Sequence, residues 1–222
     1  MDGGTLGSEG FDARYWETLF GNPESMECVG NADRHADYLQ ASLAVELVPV
    51  RTLVGVGVGL GHLFREVLVR FRPRKALALE PSAWAWSRLD PEVLKPTRST
   101  NLRLLKQDLL SWCQRETAGW ERFDLGLCTS VFQYLSETEI DQVLPIMAQR
   151  IGHLYFTVPT DRELELQIEE CSLHDEWAIS RSAEWYRSRL APHFAMVSGR
   201  LLQSRVLYDW RSSPFTDLLY RI

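Results

Sequence analysis

Lysine is almost missing from this 222-residue chain: only Lys75, Lys95 and Lys106 occur, and arginine supplies the rest of 24 basic side chains against 30 acidic ones. The resulting formal charge of −6 leaves no general basic face for neutralising phosphates, which argues against a nucleic-acid partner. Cysteine is sparse as well. Cys28, Cys113, Cys128 and Cys171 stand far apart with no C-x-x-C pair, so neither a thiolate metal site nor a disulfide framework is expected. Long apolar runs are lacking: the stretch around Val54 is bounded by Arg51 and His62, well short of the roughly 20 residues that cross a bilayer. The opening Met1-Asp2-Gly3-Gly4 has neither a basic leader region nor a myristoylation signal. Together these absences point to the cytoplasm, with no membrane partner and no metal.

What is present reads as one domain over residues 1–222. Residues 1–10 form a glycine-rich flexible tail, 11–48 an amino-terminal helical cap and 49–222 the core. Phe11, Tyr15, Trp16, Leu19 and Phe20 recur at helical spacing, and Leu39, Leu43, Ala44 and Leu47 mark a second helix ending before Pro49. Strand patterns follow at 51–56, 76–79, 102–105, 123–128 and 153–158, each linked to the next by a helical stretch. Ser82 is placed to cap one of these helices, and Ser136-Glu137-Thr138-Glu139 has capping-box spacing. Such alternation predicts an α/β fold, a Rossmann-like, mostly parallel sheet flanked by helices. Residues 161–191 read as helical. Phe194 to Leu202, Val206 to Trp210 and Asp217 to Ile222 then read as closely spaced strands, giving an antiparallel carboxy-terminal strand pair.

Four glycines, Gly55, Gly57, Gly59 and Gly61, alternate where the first strand runs into its helix. Glycine admits positive φ and close approach of a ligand to the backbone, and the helix start favours a carboxylate or phosphate. A tight packing turn would need fewer glycines. A dinucleotide loop has the spacing G-x-G-x-x-G. Here Gly57-Val58-Gly59-Leu60-Gly61 is G-x-G-x-G.

That loop, followed by Glu80 at the end of the second strand and Gln107-Asp108-Leu109 after the third, resembles class I S-adenosylmethionine-dependent methyltransferases. The run Phe123 to Leu135, with Cys128 at its strand end, looks like the family's fourth motif, and the ending looks like its antiparallel last strands. The resemblance covers residues 50 to 222 and implies S-adenosylmethionine as cofactor. It places Gly57, Gly59 and Gly61 at the donor's amino-acid end and Glu80 on the ribose. Asp108 and Leu109 fall near the adenine, and Cys128 beside the methyl donor. Asp108 also suits a simple helix cap. Tyr15, with Trp16 and Phe20, is either a lid over the cofactor, as the family often has it, or part of a helix docked on the core. One departure stands out. The family usually carries an acid two positions before the first loop glycine, where this chain has Gly55.

Methyl transfer to a hydroxyl or amine also calls for proton removal, and histidine suits that near neutral pH. His174, after the fifth strand, is the candidate base, with His35 as the substitute. Asp175 is read as pointing elsewhere on a helix. His62 reads as packing or solvated, and His153 and His193 as structural. Trp177, Trp185 and Tyr186 are candidates for the wall of an apolar acceptor pocket. The expected activity is methyl transfer to a small molecule. A non-catalytic binding protein of the same fold and an NAD-binding oxidoreductase are the alternatives.

Overall fold

A computed structural model describes residues 13–19, 28–94, 100–115, 121–171 and 174–208. Short runs of alternating or continuous apolar residues become five parallel strands: β1 (Thr52–Val56), β2 (Lys75–Leu79), β3 (Asn101–Leu105), β4 (Phe123–Thr129) and β5 (Ile151–Thr157). Two antiparallel strands, β6 (Phe194–Ser198) and β7 (Leu201–Ser204), extend the sheet beside β5, in the order β3-β2-β1-β4-β5-β7-β6. The expected mixed sheet with an antiparallel end is therefore the observed one.

Alternation along each strand divides the core in two. Leu53, Leu125, Leu127 and Tyr155 pack with α2 (Ala32–Val45) and α3 (His62–Phe71). Val54, Val56, Cys128, Leu154 and Phe156 lie in a second cluster with side chains of α6 (Leu109–Gln114), α7 (Glu137–Arg150) and α9 (Ala183–Leu190). Short helices α4 (Ala83–Trp86) and α5 (Pro91–Leu94) follow β2, α8 (Asp161–Cys171) follows β5, and α1 (Ala13–Leu19) precedes them all. The capping box at the start of α7 is formed: the Ser136 N–H donates to Glu139 Oε2 at 2.7 Å, and the Glu139 N–H to Ser136 Oγ at 3.2 Å.

The chain departs from its sequence reading at the carboxy-terminal side. Phe194 to Leu202 is a hairpin rather than one strand, because it turns at Gly199-Arg200 and Ser198 pairs with Leu201. Residues 205–207 form a turn, so no strand begins at Val206; residues 209–222, including the expected strand at Asp217 to Ile222, lie outside the described residues. The stretch read as helical over 161–191 is broken, with residues 178–182 in extended or irregular backbone before α9. Ser182 stops and restarts it, accepting the Trp185 N–H at 3.1 Å as the α9 cap. The tail at 1–10 and Phe11 and Phe20 also lie outside the described residues.

Two crossovers run from β1 out to β3, and the chain then returns to β4 on the other side of β1. This reversal opens a crevice at the carboxyl ends of β1 and β4, the usual ligand position of such sheets. At the opposite end Asp124 fixes how β1 and β4 meet. Its Oδ2 accepts the N–H groups of Arg51 (2.7 Å) and Thr52 (2.8 Å) and the Thr52 hydroxyl (3.0 Å). Asp124→Ala leaves these donors to solvent or unpaired. It should lower the free energy of unfolding by about 1–2 kcal/mol, read as a lower urea midpoint with unchanged m-value.

Candidate active site

β1 ends at Val56 because the next residues adopt left-handed backbone: φ is 61° at Gly57, 56° at Gly59 and 80° at Gly61, which starts α3. Packing alone accounts for two of them. A β-carbon on Gly57 would lie 2.7 Å from Val131 in the loop after β4, and one on Gly61 would lie 2.7 Å from Leu94. Gly59 is different, since its nearest neighbour is the indole of Trp16, 3.3 Å from where a β-carbon would sit.

The Gly59 N–H donates to Glu80 Oε2 at 2.7 Å, and the Ser82 N–H donates to Glu80 Oε1 at 2.9 Å. Glu80 is only 3% exposed. Burial pushes its carboxyl above the usual range, and the Ser82 and Gly59 N–H groups oppose that rise. Ser82 Oγ caps α4 by accepting the Ala85 N–H and also accepts the Trp16 indole N–H at 2.8 Å. Trp16 stacks on Trp84 with ring centroids 5.4 Å apart and planes 6° apart, and the Arg88 guanidinium lies 3.5 Å over the far partner's ring.

Beside Trp16, the Tyr15 hydroxyl lies 2.6 Å from that of Tyr134, and Tyr134 donates to Asp175 Oδ2 at 2.6 Å. Burial first, then the charge of Asp175 and more weakly that of Glu80, push the Tyr15 phenol upward. Tyr134 is pushed upward as well, chiefly by burial. Both phenols are protonated at neutral pH.

The residues expected from sequence do not all fall in one place. Gly57, Gly59, Gly61, Glu80 and Tyr15 converge on the crevice. Asp108 begins α6, with Oδ1 accepting the Ser111 N–H at 2.7 Å and Oδ2 the Ser111 hydroxyl at 2.8 Å, so its carboxylate works as a helix cap. Leu109 and Cys128 are core residues in the α6–α7 cluster; Cys128 is 0% exposed and burial pushes its thiol up, so neither side chain lines the crevice surface. His174 has an exposed side chain, and its segment is not helical. Its neighbour Asp175, read from sequence as pointing away, is the one that reaches Tyr134. His35 does not face the loop: its imidazole contacts the Tyr155 hydroxyl inside β5 and Arg200 at 3.3 Å. Tyr186 belongs to the core and Trp177 is exposed, so the supposed aromatic wall is not assembled from them. Tyr134 and Asp175 were missed because nothing in local spacing joins residues 41 positions apart.

Among the described residues no group of three His, Cys, Asp or Glu side chains could hold a metal, and no helix is long and apolar enough to cross a membrane.

As a sequence the chain matches no protein-family model and no curated protein. As a structure it has many counterparts. The N-methyltransferase NodS from Bradyrhizobium japonicum superposes with a TM-score of 0.57 at 18% identity, over 84% of this chain and 99% of that one. An S-adenosylmethionine-dependent methyltransferase from Clostridium acetobutylicum gives 0.61 at 10% identity, over 89% and 99%. Magnesium protoporphyrin IX methyltransferase (ChlM) from Synechocystis, solved with bound S-adenosylhomocysteine, gives 0.57 at 14%, over 89% and 96%. The fold is that of the S-adenosylmethionine-dependent methyltransferases.

Gly55 stands where the resemblance in sequence would lead one to expect an acid. A β-carbon there would lie 2.5 Å from Val58 Cγ1 and 2.6 Å from Phe64 Cδ2, so these two side chains fill the space an acid would use. Gly55→Asp should therefore overpack the turn and destabilise the protein by at least about 1–3 kcal/mol, with no gain in ligand affinity. Denaturant melts compared with wild type give the first quantity, and calorimetry with S-adenosylhomocysteine the second.

Proposed function

We propose that this chain is an S-adenosylmethionine-dependent methyltransferase acting on a hydroxyl or amine of a small molecule. The observation that carries this reading is the buried Glu80 carboxylate joined to the Gly59 N–H at the open end of β1 and β2. A carboxylate has about four acceptor positions. Gly59 and Ser82 use one on each oxygen, which leaves a position on each for the two hydroxyls of a ribose. The left-handed loop at Gly57, Gly59 and Gly61 suits the donor's amino-acid end. The net charge of −6 favours a small acceptor over a polyanion.

When bound, the cofactor supplies an electrophilic methyl group on sulfur. The protein's share is alignment and exclusion of water. Glu80 and the loop would hold the donor at the carboxyl ends of β1 and β2, while Trp16 and Tyr15 lie beside the loop on α1. Tyr134, on the turn after β4, faces Tyr15 from the opposite side. An acceptor that enters beside these aromatic groups meets hydroxyls and a carboxylate rather than bulk water.

Isothermal calorimetry with S-adenosylhomocysteine tests the reading. Wild type should bind it and give no heat with NAD. Glu80→Ala should weaken binding by about 1–3 kcal/mol, the scale of hydrogen bonds to a charged acceptor. Gly59→Val should lose more, because a branched side chain at φ 56° is strained and meets Trp16. A wild-type protein that binds NAD and not S-adenosylhomocysteine would overturn the assignment.

A further inference from the structure

The hydroxyl chain beside the loop has a direction. Tyr134 has one proton and gives it to Asp175, so Tyr15 must donate to Tyr134, and every proton points toward the carboxylate. Asp175 is held for this from both sides. Its Oδ1 accepts the Trp177 N–H at 3.2 Å, and the Ile179 N–H, four residues on, bonds to the Gln133 carbonyl at 2.8 Å, next to Tyr134. The chain thus begins on α1, whose Trp16 touches Gly59, and ends on the segment after α8.

Among the described residues, the charges that act on the Tyr15 hydroxyl are of one sign. Glu80 and Asp175 both act on the Tyr15 hydroxyl, and neither forms an ion pair among the described residues. Arg181 packs against the same turn, but its guanidinium donates to the carbonyls of Phe132 (3.3 Å) and Leu135 (2.7 Å) and lies over Trp185. His174 and Glu176, on either side of Asp175 in sequence, are exposed.

We propose that Tyr15, Tyr134 and Asp175 form the acceptor subsite and that it selects an amine. This rests on the methyl-transfer reading above. Two carboxylates stabilise positive charge and oppose negative charge at the same place. An amine that attacks a methyl group acquires positive charge on nitrogen, which this field favours. An alcohol must develop negative charge on oxygen to become nucleophilic, which the field opposes. The balance is simple: the nitrogen lone pair forms the N–C bond, the C–S bond breaks, and its electron pair stays on sulfur. Before that attack, the bound ammonium sheds one proton into the hydroxyl chain, each phenol passing its own proton on, and this frees the lone pair. The proton ends on the Asp175 carboxylate, which becomes a carboxylic acid.

The test uses the full chain saturated with S-adenosylhomocysteine and two probes of equal shape, n-butylammonium chloride and n-butanol, titrated by calorimetry near neutral pH. Butylammonium should bind at least tenfold more tightly than butanol. Asp175→Asn should abolish that preference while S-adenosylhomocysteine affinity stays within twofold, and Asp175→Glu should restore part of it. Tyr134→Phe keeps the ring and removes the hydroxyl, so it should reduce the preference even if Asp175→Asn folds poorly. Failure of butylammonium to bind, equal binding of the two probes, or an unaltered preference in both Asp175→Asn and Tyr134→Phe overturns the proposal. Failure of S-adenosylhomocysteine itself to bind overturns the cofactor reading instead.

Discussion

Glu80 accepts one N–H from the loop after β1 and one from the turn after β2, and those two bonds tie the glycine loop to the start of α4 and, through Ser82, to α1. Gly59 is drawn toward β2, Ser82 is set to begin α4, and Ser82 in turn takes the indole of Trp16, whose ring lies back against Gly59. The contacts form a closed circuit through three separate stretches of chain. A buried carboxylate is expensive, and the upward push on its pKa records that cost. Because the folded value lies above the ordinary one, Glu80 favours folding most when protonated. Its ionised form costs stability as pH rises through the ordinary carboxylate range toward the raised value. At neutral pH the fold thus retains a group whose ionised form works against it, a feature that fits the ribose-binding role proposed for Glu80.

The same economy explains Gly55. With Val58 and Phe64 filling the space of an acidic side chain, the underside of the loop is apolar and closely packed. Negative charge near the crevice is then carried by Glu80 and Asp175, both of which act on Tyr15. Restoring an acid at position 55 would need simultaneous shrinkage at 58 and 64, so the three positions are constrained as a set.

Much of the fold was legible in the sequence because it is written in short-range periodicity. The helix at 62–71 and the capping box at Ser136 are local patterns, and they fall where spacing places them. The glycine loop and the position of Glu80 at the end of β2 were legible for the same reason. The hairpin at 194–204 was not, because Phe194 to Leu202 is apolar on both sides of a turn signalled only by Gly199. The surroundings of His174 were harder to read. His174 stood out by residue type and is exposed, whereas its neighbour Asp175 accepts the hydroxyl of Tyr134, in a turn 41 residues earlier. Asp108 shows the converse: a capping residue and a ligand-binding residue have the same local sequence, and only the bonds to Ser111 show which use its carboxylate has here.

α1 has seven residues, about half the length at which a helix in water sustains itself. Its order is therefore borrowed, from Ser82 and Trp84 through Trp16 and from Tyr134 through Tyr15. Local opening of α1 and rearrangement of the crevice are then one equilibrium, not two. Amide hydrogen exchange in α1 should follow the state of the glycine loop, although no backbone hydrogen bond joins them among the described residues.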